Sequence, residues 1–341
     1  MVLRRDFLRW LAFSFLYLLS GCIHRNQTMP KEQKAIEGGS NMEKIRSKVF
    51  VIKTNDRRIG IKELMKGFEL DRLSGKRVAI KANYNSSDPF PASTNIETLS
   101  AIVEELNERK ANVVMAERSG MGETRKVLEE TGVIDLSGKL GFEVKILDNM
   151  KSSDWVKEVP VDSHWKRGFL FPKVFREADA ILQTCCLKTH RFGGHFTMSL
   201  KNSVGMVAKY DPEDGYNYMS ELHSSRYQRR MIAEINTAYS PDIIIMDGLK
   251  GFSKGGPDAG TLIEPGVLIA SDDRVALDAV GVAILRIYGT TGEVSKGGVF
   301  KQEQISRAVE LDLGASGPDE IEVVPINKEA EEICIQIREK L

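Results

Sequence analysis

The sequence predicts an α/β fold in which a mainly parallel sheet is layered by helices, as one domain or as two lobes. Two observations lead to this prediction. Apolar runs of strand length alternate with helical patterns along residues 44–341, which is typical of a parallel sheet covered by helices. A segment of about 300 residues is also long enough to bury a substantial core.

The first βαβ unit is predicted near the start of this domain. Residues 78–82 and residues 111–116 are buried-type apolar runs, as expected of two strands. Between them, Thr94 and Glu97 have the spacing of a capping box, and apolar residues at helical spacing follow. We therefore expect a helix that begins after Thr94.

The later elements repeat this pattern. Further strands are predicted at residues 178–185, 242–246, 266–270 and 321–324, and later helices from Asp272 onward and at residues 328–340. Most of these strands end at a polar or glycine-rich segment. Ligand sites in open α/β sheets lie beyond the carboxyl ends of the strands, so we expect the functional site there.

The N-terminal residues have the pattern of a lipoprotein signal peptide. Arg4 and Arg5 precede an apolar run over residues 10–19, and two small residues lie directly before Cys22. Such a run reaches only about half of the roughly 30 Å hydrocarbon core, too little for a stable transmembrane helix. We expect residues 1–21 to be removed and Cys22 to be lipidated; an uncleaved anchor is the alternative.

The basic end of this segment also indicates the route of export. Arg4-Arg5 followed by Phe7-Leu8 resembles the twin-arginine signal, whose pathway carries folded proteins. A protein that folds before export can take up a metal or organic cofactor first; an ordinary secretory signal is the alternative. Residues 22–43 contain no aromatic residue and should form a flexible linker. The expected location is the extracytoplasmic face of a bacterial membrane, anchored by lipid on Cys22.

The charge balance makes nucleic acid an unexpected partner. Removing residues 1–21 takes three arginines and one aspartate from 48 basic and 48 acidic residues, which leaves 45 and 47 and a formal charge of −2. This balance lacks the basic excess that binds phosphate backbones. A small anionic ligand is expected instead, and a redox or membrane-complex partner is left open.

Three cysteines remain after Cys22. Cys185 and Cys186 are adjacent and would point to opposite faces of a strand, so they are poor disulfide partners for each other. Cys334 could reach one of them, but small buried side chains are the simpler interpretation. The sequence has no Cys-x-x-Cys pair, which disfavours an iron–sulfur cluster. The cofactor is otherwise unknown.

The residues best suited to chemistry follow the predicted strand at residues 178–185. Lysine binds phosphate or carboxylate, or becomes a nucleophile when burial lowers its pKa, and histidine transfers protons or binds metals. The predicted catalytic residues are Lys188, His190 and Lys201, and the predicted ligand-binding residues of this segment are His195 and Asn202. Solvated surface lysines are one alternative, and a metal held by the two histidines is another.

Three residues at other predicted strand ends complete the expected site. Lys81 and Asn83 lie at the end of the first strand of the βαβ unit and should contact an anion; a lysine stem packed along the sheet edge is the alternative. Asp247 ends an apolar strand and precedes several glycines. It should orient a basic group or bind a metal, unless it simply forms a turn.

These motifs resemble the hallmark of the domain-of-unknown-function family DUF362. The resemblance rests on Lys188-Thr189-His190, Leu200-Lys201-Asn202 and Gly205, with support from Lys81-Ala82-Asn83, Asp247-Gly248, Gly255-Gly256-Pro257 and residues 271–281. It covers roughly residues 45–290. The family name records that its activity is not established. Some members carry an appended ferredoxin-like segment, whose cysteines this chain lacks, and the Lys and His loop resembles that of the nickel-pincer racemases, where lysine and histidine hold a cofactor.

The function that we expect is that of an enzyme or cofactor-bearing subunit acting on a small anionic metabolite. The lysines would hold carboxylate or phosphate oxygens while His190 moves a proton. The alternative is a lipoprotein that binds a solute or cofactor without catalysis. A structural partner of a larger membrane complex is a third hypothesis.

Overall fold

A sheet of ten strands forms the centre of the computed structural model, which describes residues 46–341. The described residues form twelve strands, ten of them in this sheet: β1 (Ser47–Lys53), β2 (Arg77–Lys81), β3 (Asn112–Glu117), β4 (Glu143–Ile146), β5 (Trp155–Glu158), β6 (Phe169–Pro172), β7 (Ala180–His190), β8 (His195–Phe196), β9 (Ile243–Gly255), β10 (Gly260–Ile263), β11 (Val267–Ser271) and β12 (Ile321–Pro325). Two of them, β5 and β6, pair separately as a small antiparallel sheet.

Twelve α-helices surround the sheet within the described part of the chain. They are α1 (Arg57–Met65), α2 (Ile96–Glu108), α3 (Thr124–Glu130), α4 (Val133–Leu140), α5 (Lys173–Arg176), α6 (Ser199–Asn202), α7 (Tyr218–Ser224), α8 (Gln228–Ile235), α9 (Arg274–Ile287), α10 (Gly292–Ser295), α11 (Glu303–Glu310) and α12 (Glu331–Lys340). None of the helices in residues 46–341 has the length and apolar composition needed to cross a membrane.

The strand order is β12-β1-β11-β9-β7-β2-β3-β4, with β10 beside β9 and β8 beside β7. Neighbours from β9 through β4 are parallel, whereas β11 is antiparallel to both of its neighbours. The predicted α/β class with a mainly parallel sheet is therefore confirmed. The carboxyl ends of β7, β2 and β3 lie side by side as a result.

Side chains alternate between the two faces of the sheet. In β11, Val267 and Ile269 pack into the core on the side of α9, α11 and α12. Leu268 and Ala270 pack into the core on the side of α1 and α2. A strand covered on both faces needs apolar residues at every position, which is why these strands appear in the sequence as unbroken apolar runs. Residues 46–341 belong to one compact unit rather than two lobes.

The segment after Cys185 is a strand where the sequence predicted a loop. Strand β7 continues to His190 because Lys188 pairs with Phe252 of β9 and Thr189 pairs with Phe196 of β8. Strand β9 likewise continues beyond its apolar run, to Gly255. Long-range pairing thus extends both strands through polar residues. Lys188 and His190 therefore lie at the carboxyl end of β7.

Two helix starts differ slightly from the prediction. Asn95 caps α2 by accepting from the Glu97 amide at 2.8 Å, and the Thr94 hydroxyl instead accepts from the Asn83 amide at 2.9 Å. Asp273, not Asp272, caps α9 by accepting from the amides of the first turn. The predicted signal peptide, the linker and lipidated Cys22 lie outside the described residues.

Candidate functional site

A cavity of about 440 Å³ opens at the carboxyl ends of β2, β3 and β7. Its lining brings together six of the eight side chains predicted for the site: Lys81, Asn83, Lys188, His190, Lys201 and Asn202. The other two, His195 and Asp247, do not line it. The remaining lining residues are Tyr84, Asn85, Glu117, Arg118, Gly120, Met121, Phe192, Thr197, Val204, Gly205, Lys209, Met219, His223 and Pro257.

Asp247 accepts hydrogen bonds from side chains of α1 and α2. Its Oδ2 accepts from Arg57 Nε at 2.8 Å and from the Thr98 hydroxyl at 2.6 Å, and its Oδ1 accepts from the Leu249 amide. The carboxylate is fully buried and its acceptors are occupied by α1, α2 and its own strand. Asp247 thus orients a basic group, Arg57, as predicted, but it does not line the cavity.

His195 also lies apart from the cavity. It stands opposite His190 in the β7–β8 pair, with a backbone φ of 66° that turns the chain. Burial and the nearby Arg229 lower its pKa. In residues 46–341 no group of three or more His, Cys, Asp or Glu side chains is arranged to hold a metal ion.

Lys81 forms the buried edge of the site together with Glu117. Its Nζ donates to Glu117 Oε1 at 2.6 Å, to Asn202 Oδ1 at 3.3 Å and to the carbonyl of Ala82. Burial lowers the pKa of Lys81 and raises that of Glu117, and the attraction within the pair opposes both shifts. All three ammonium protons have acceptors, so Lys81 supports the cavity wall and has no proton left for a ligand.

Asn202 links this pair to the end of β7. Its Oδ1 accepts from Lys81, and its Nδ2 donates to the Thr184 carbonyl at 3.1 Å. Gly205 completes the wall because a Cβ there would lie 2.9 Å from Lys81 Nζ and 3.1 Å from Glu117 Oε1. Both residues therefore fix the geometry of the wall.

Lys188 brings a deeply buried charge to the cavity. Its side chain is only 1% exposed, and its Nζ donates to the carbonyl of Ala92. Burial lowers the pKa of Lys188. The ammonium has no carboxylate within 4 Å among the described residues, and two of its three protons remain for other acceptors.

Lys201 is carried by the short helix α6, which Asp278 of α9 holds in place. The Asp278 carboxylate accepts from the amides of Ser199 at 2.7 Å and Leu200 at 2.9 Å. Burial, followed by the charges of Lys188 and Arg118, lowers the pKa of Lys201 to about 8. Its ammonium has no hydrogen-bond or ion-pair partner within residues 46–341.

His190 is held as a neutral ring. Its Nδ1 accepts from the Gly194 amide at 3.2 Å, which places the proton on Nε2. Burial and then the charge of Lys201 lower its pKa far below the ordinary value. His190 is therefore suited to donate a hydrogen bond from Nε2 to a ligand oxygen.

Several lining residues were not singled out from the sequence. The Arg118 guanidinium donates to the carbonyls of Val204 and Val207 at 2.7 and 2.8 Å. The Tyr84 hydroxyl is buried without a hydrogen-bond partner in the described structure. Glu117 and Arg118 directly follow the predicted strand at residues 111–116, so strand-end reasoning could have found both.

The cavity lining carries an excess of positive charge. Three buried or half-buried cations, Lys188, Lys201 and Arg118, have no carboxylate within 4 Å in residues 46–341, and Glu117 is already paired with Lys81. Cations that share one cavity repel each other, and a bound anion offsets that cost. The arrangement can therefore bind carboxylate or phosphate oxygens.

Comparison with known proteins identifies the family of this chain. One relative is the thylakoid-associated protein sll1697 of Synechocystis sp., which is 26% identical over 219 residues that cover 64% of this chain; the chain spans 65% of the relative's length, just under two thirds. A solved structure, the lactate racemase apoprotein from Thermoanaerobacterium thermosaccharolyticum, matches with a TM-score of 0.42 and 13% identity over 67% of this chain and 55% of that one. A family model described as a domain of unknown function (DUF362) matches residues 78–283, a range that contains every residue lining the cavity. The chain belongs to the DUF362 family.

Proposed function

We propose that this protein is an enzyme or cofactor-bearing subunit that acts on a small anionic metabolite bound in the strand-end cavity. The observation that carries this proposal is the group of three cations, Lys188, Lys201 and Arg118, that face one cavity without a carboxylate partner in the described residues. A cavity of about 440 Å³ is within the usual range for small-molecule sites.

The polar groups around the cavity suggest how the ligand is held. Lys188 and Lys201 would bind its anionic oxygens, since both retain ammonium protons without acceptors. The Nε2 proton of His190 and the unpartnered hydroxyl of Tyr84 would donate to further oxygens. Burial raises the pKa of Tyr84 well above its ordinary value, so this hydroxyl remains a donor.

We also propose that the protein works at the extracytoplasmic face of a bacterial membrane. The support is the signal-like N-terminus, the lipidation motif at Cys22 and the polar segment 22–43. The relative from Synechocystis is described as thylakoid-associated, which fits a role beside a membrane. A redox or membrane-complex partner would then meet the protein there.

Anion binding by purified full-length variants tests the proposal. Pyruvate, lactate, 2-oxoglutarate and phosphate would be screened by calorimetry against wild type, Lys188→Met, Lys201→Met and Lys250→Met. Lys250 is an exposed lysine paired with Glu264 and serves as the charge-matched control. We expect the two cavity variants to lose at least about tenfold in affinity, or about 1.4 kcal/mol, and the control to lose little. Equal affinities in all four proteins would contradict the proposal.

The same proteins separate catalysis from simple binding. Each bound anion would be followed by NMR for conversion in the presence of wild type and of His190→Gln. Conversion that is lost in His190→Gln with affinity retained supports an enzyme. Binding without any conversion supports the alternative, a lipoprotein that holds a solute or cofactor.

A further inference from the structure

Four lysines line the cavity, and they differ in what their ammonium groups contact. Lys81 donates to three acceptors, and Lys188 donates to a backbone carbonyl. Lys209 lies 5.7 Å from the centre of the Tyr210 ring. Among these four lysines, Lys201 alone has neither a hydrogen-bond acceptor nor a cation–π contact within residues 46–341. Its nitrogen is therefore the amine that is free to react.

The groups around Lys201 favour its uncharged form. Lys188 and Arg118 are positive, and the facing histidines, His190 and His223, both have lowered pKa values. No carboxylate lies within 4 Å of the ammonium among the described residues. Near pH 8 a large share of the side chain is thus a neutral amine, which is the nucleophilic form of lysine.

The position of Lys201 is fixed and lies close to a hydrogen-bond donor. A Cβ at Gly194 would lie 3.0 Å from Lys201 Cε and 2.8 Å from His190 Nδ1, so both side chains pack against the same glycine. The helix that carries Lys201 is tied down through two backbone amides by Asp278. A ligand that reaches the amine therefore also meets the imidazole of His190.

We propose that Lys201 captures its ligand covalently, as an imine with the carbonyl carbon of a 2-oxo acid. This inference rests on the proposed function and names the class of anion. The carboxylate beside the carbonyl would contact Lys188, and His190 Nε2 would donate to the carbonyl oxygen. Phe192 and Met121, which line the cavity and are 51% and 49% exposed, leave apolar surface for the ligand's side chain.

The reaction balances without an oxidant or a reductant. The neutral amine of Lys201 attacks the carbonyl carbon, and the C–N bond forms as the C=O π bond opens and a proton moves from the nitrogen to the oxygen. That oxygen takes a second proton from solvent and leaves as water, so amine, carbonyl and one proton give the protonated imine and water. His190 stabilises the developing charge on oxygen by hydrogen bonding.

Reductive trapping tests this inference. The full-length protein would be incubated near pH 8 with pyruvate, 2-oxoglutarate or phenylpyruvate and sodium cyanoborohydride, then analysed by intact mass and peptide mapping. The controls are Lys201→Arg, which keeps the charge but is not a nucleophile, and Lys209→Arg, which alters another lysine of the same cavity. Lactate, which has no carbonyl group, is the binding control.

We expect one adduct, equal to the mass of the 2-oxo acid less one oxygen atom, on Lys201 in wild type and in Lys209→Arg. Lys201→Arg should show at least a tenfold lower yield. Labelling of Lys201→Arg equal to that of wild type, or labelling mainly at other lysines, overturns the imine. If the protein binds lactate and a 2-oxo acid but forms no adduct, the imine is overturned and the proposed function stands. If the protein binds no anion of the screen, the imine and the proposed function are both overturned.

Discussion

The Nζ atom of Lys81 lies 2.6 Å from Oε1 of Glu117, and both side chains are almost completely buried. The two residues end neighbouring parallel strands, β2 and β3, and their ion pair forms one wall of the cavity. Glu117 also accepts from the amides of Arg118 and Tyr84. The carboxylate therefore fixes two strand ends and the start of two loops.

Substitution Glu117→Gln should destabilise the protein by about 3–5 kcal/mol, because it leaves the buried Lys81 ammonium without its countercharge. The measurement is the free energy of urea unfolding. The matched control is Glu130→Gln, which breaks a pair with Lys126 that is exposed and 3.8 Å long; this change should cost at most about 0.5 kcal/mol. Similar losses in the two variants would show that the buried pair has no special role.

Anion affinity should fall as the pH rises through about 8. Lys201 has its pKa lowered to about 8, so below that pH it is charged and attracts the anion, and above it the charge is lost. A bound anion raises this pKa again, so binding near pH 8 should take up protons. Calorimetry in two buffers of different ionisation enthalpy measures the uptake. Lys201→Met should show a smaller uptake, and an unchanged uptake in that variant would contradict the assignment.

Gly194→Ala should weaken anion binding by about tenfold or more. The added Cβ would lie 2.8 Å from His190 Nδ1 and 3.0 Å from Lys201 Cε, so at least one of these side chains must move. Gly138→Ala is the control, because its Cβ meets nothing within 4 Å and helix α4 should be stabilised by about 0.5–1 kcal/mol. Retained affinity in Gly194→Ala would mean that these side chains do not contact the ligand.

Asp278→Ala should lower both stability and anion affinity. The change removes the acceptors of two buried amides, those of Ser199 and Leu200, at a cost of roughly 2–5 kcal/mol. It also releases the helix that carries Lys201. The control, Asp272→Ala, alters an exposed aspartate near the same helix. Urea unfolding measures stability and calorimetry measures anion affinity. A loss of stability with full affinity would show that the hydrogen bonds of Asp278 are not needed to position Lys201 for the anion.

Cys22→Ser should move the protein from the membrane fraction to the soluble fraction of cells that export it. The expectation follows from the lipidation motif, because the serine hydroxyl cannot replace the thiol in that modification. Fractionation with immunoblotting, and mass spectrometry of the N-terminal peptide for attached lipid, measure the outcome. Membrane retention of the variant without lipid would indicate an uncleaved anchor instead.

The fold class and the core of the site were predictable because local patterns carry them. Unbroken apolar runs correctly located β2, β3, β9 and β11, since the central positions of a strand covered on both faces are apolar. The cluster from Lys188 to Asn202 was found because its members are close in sequence. The strand-end rule then correctly joined them to Lys81 and Asn83.

Only the tertiary structure decided which of these side chains are free to contact a ligand. Lys81 forms an ion pair with Glu117, which is 36 residues away, and Asp247 forms one with Arg57, which is 190 residues away. The sequence gives no sign of these partners, because contacts between distant residues depend on strand order and on how helices pack over the sheet. The same residue types therefore have different roles, and the unpartnered state of Lys201 is a property of its three-dimensional surroundings.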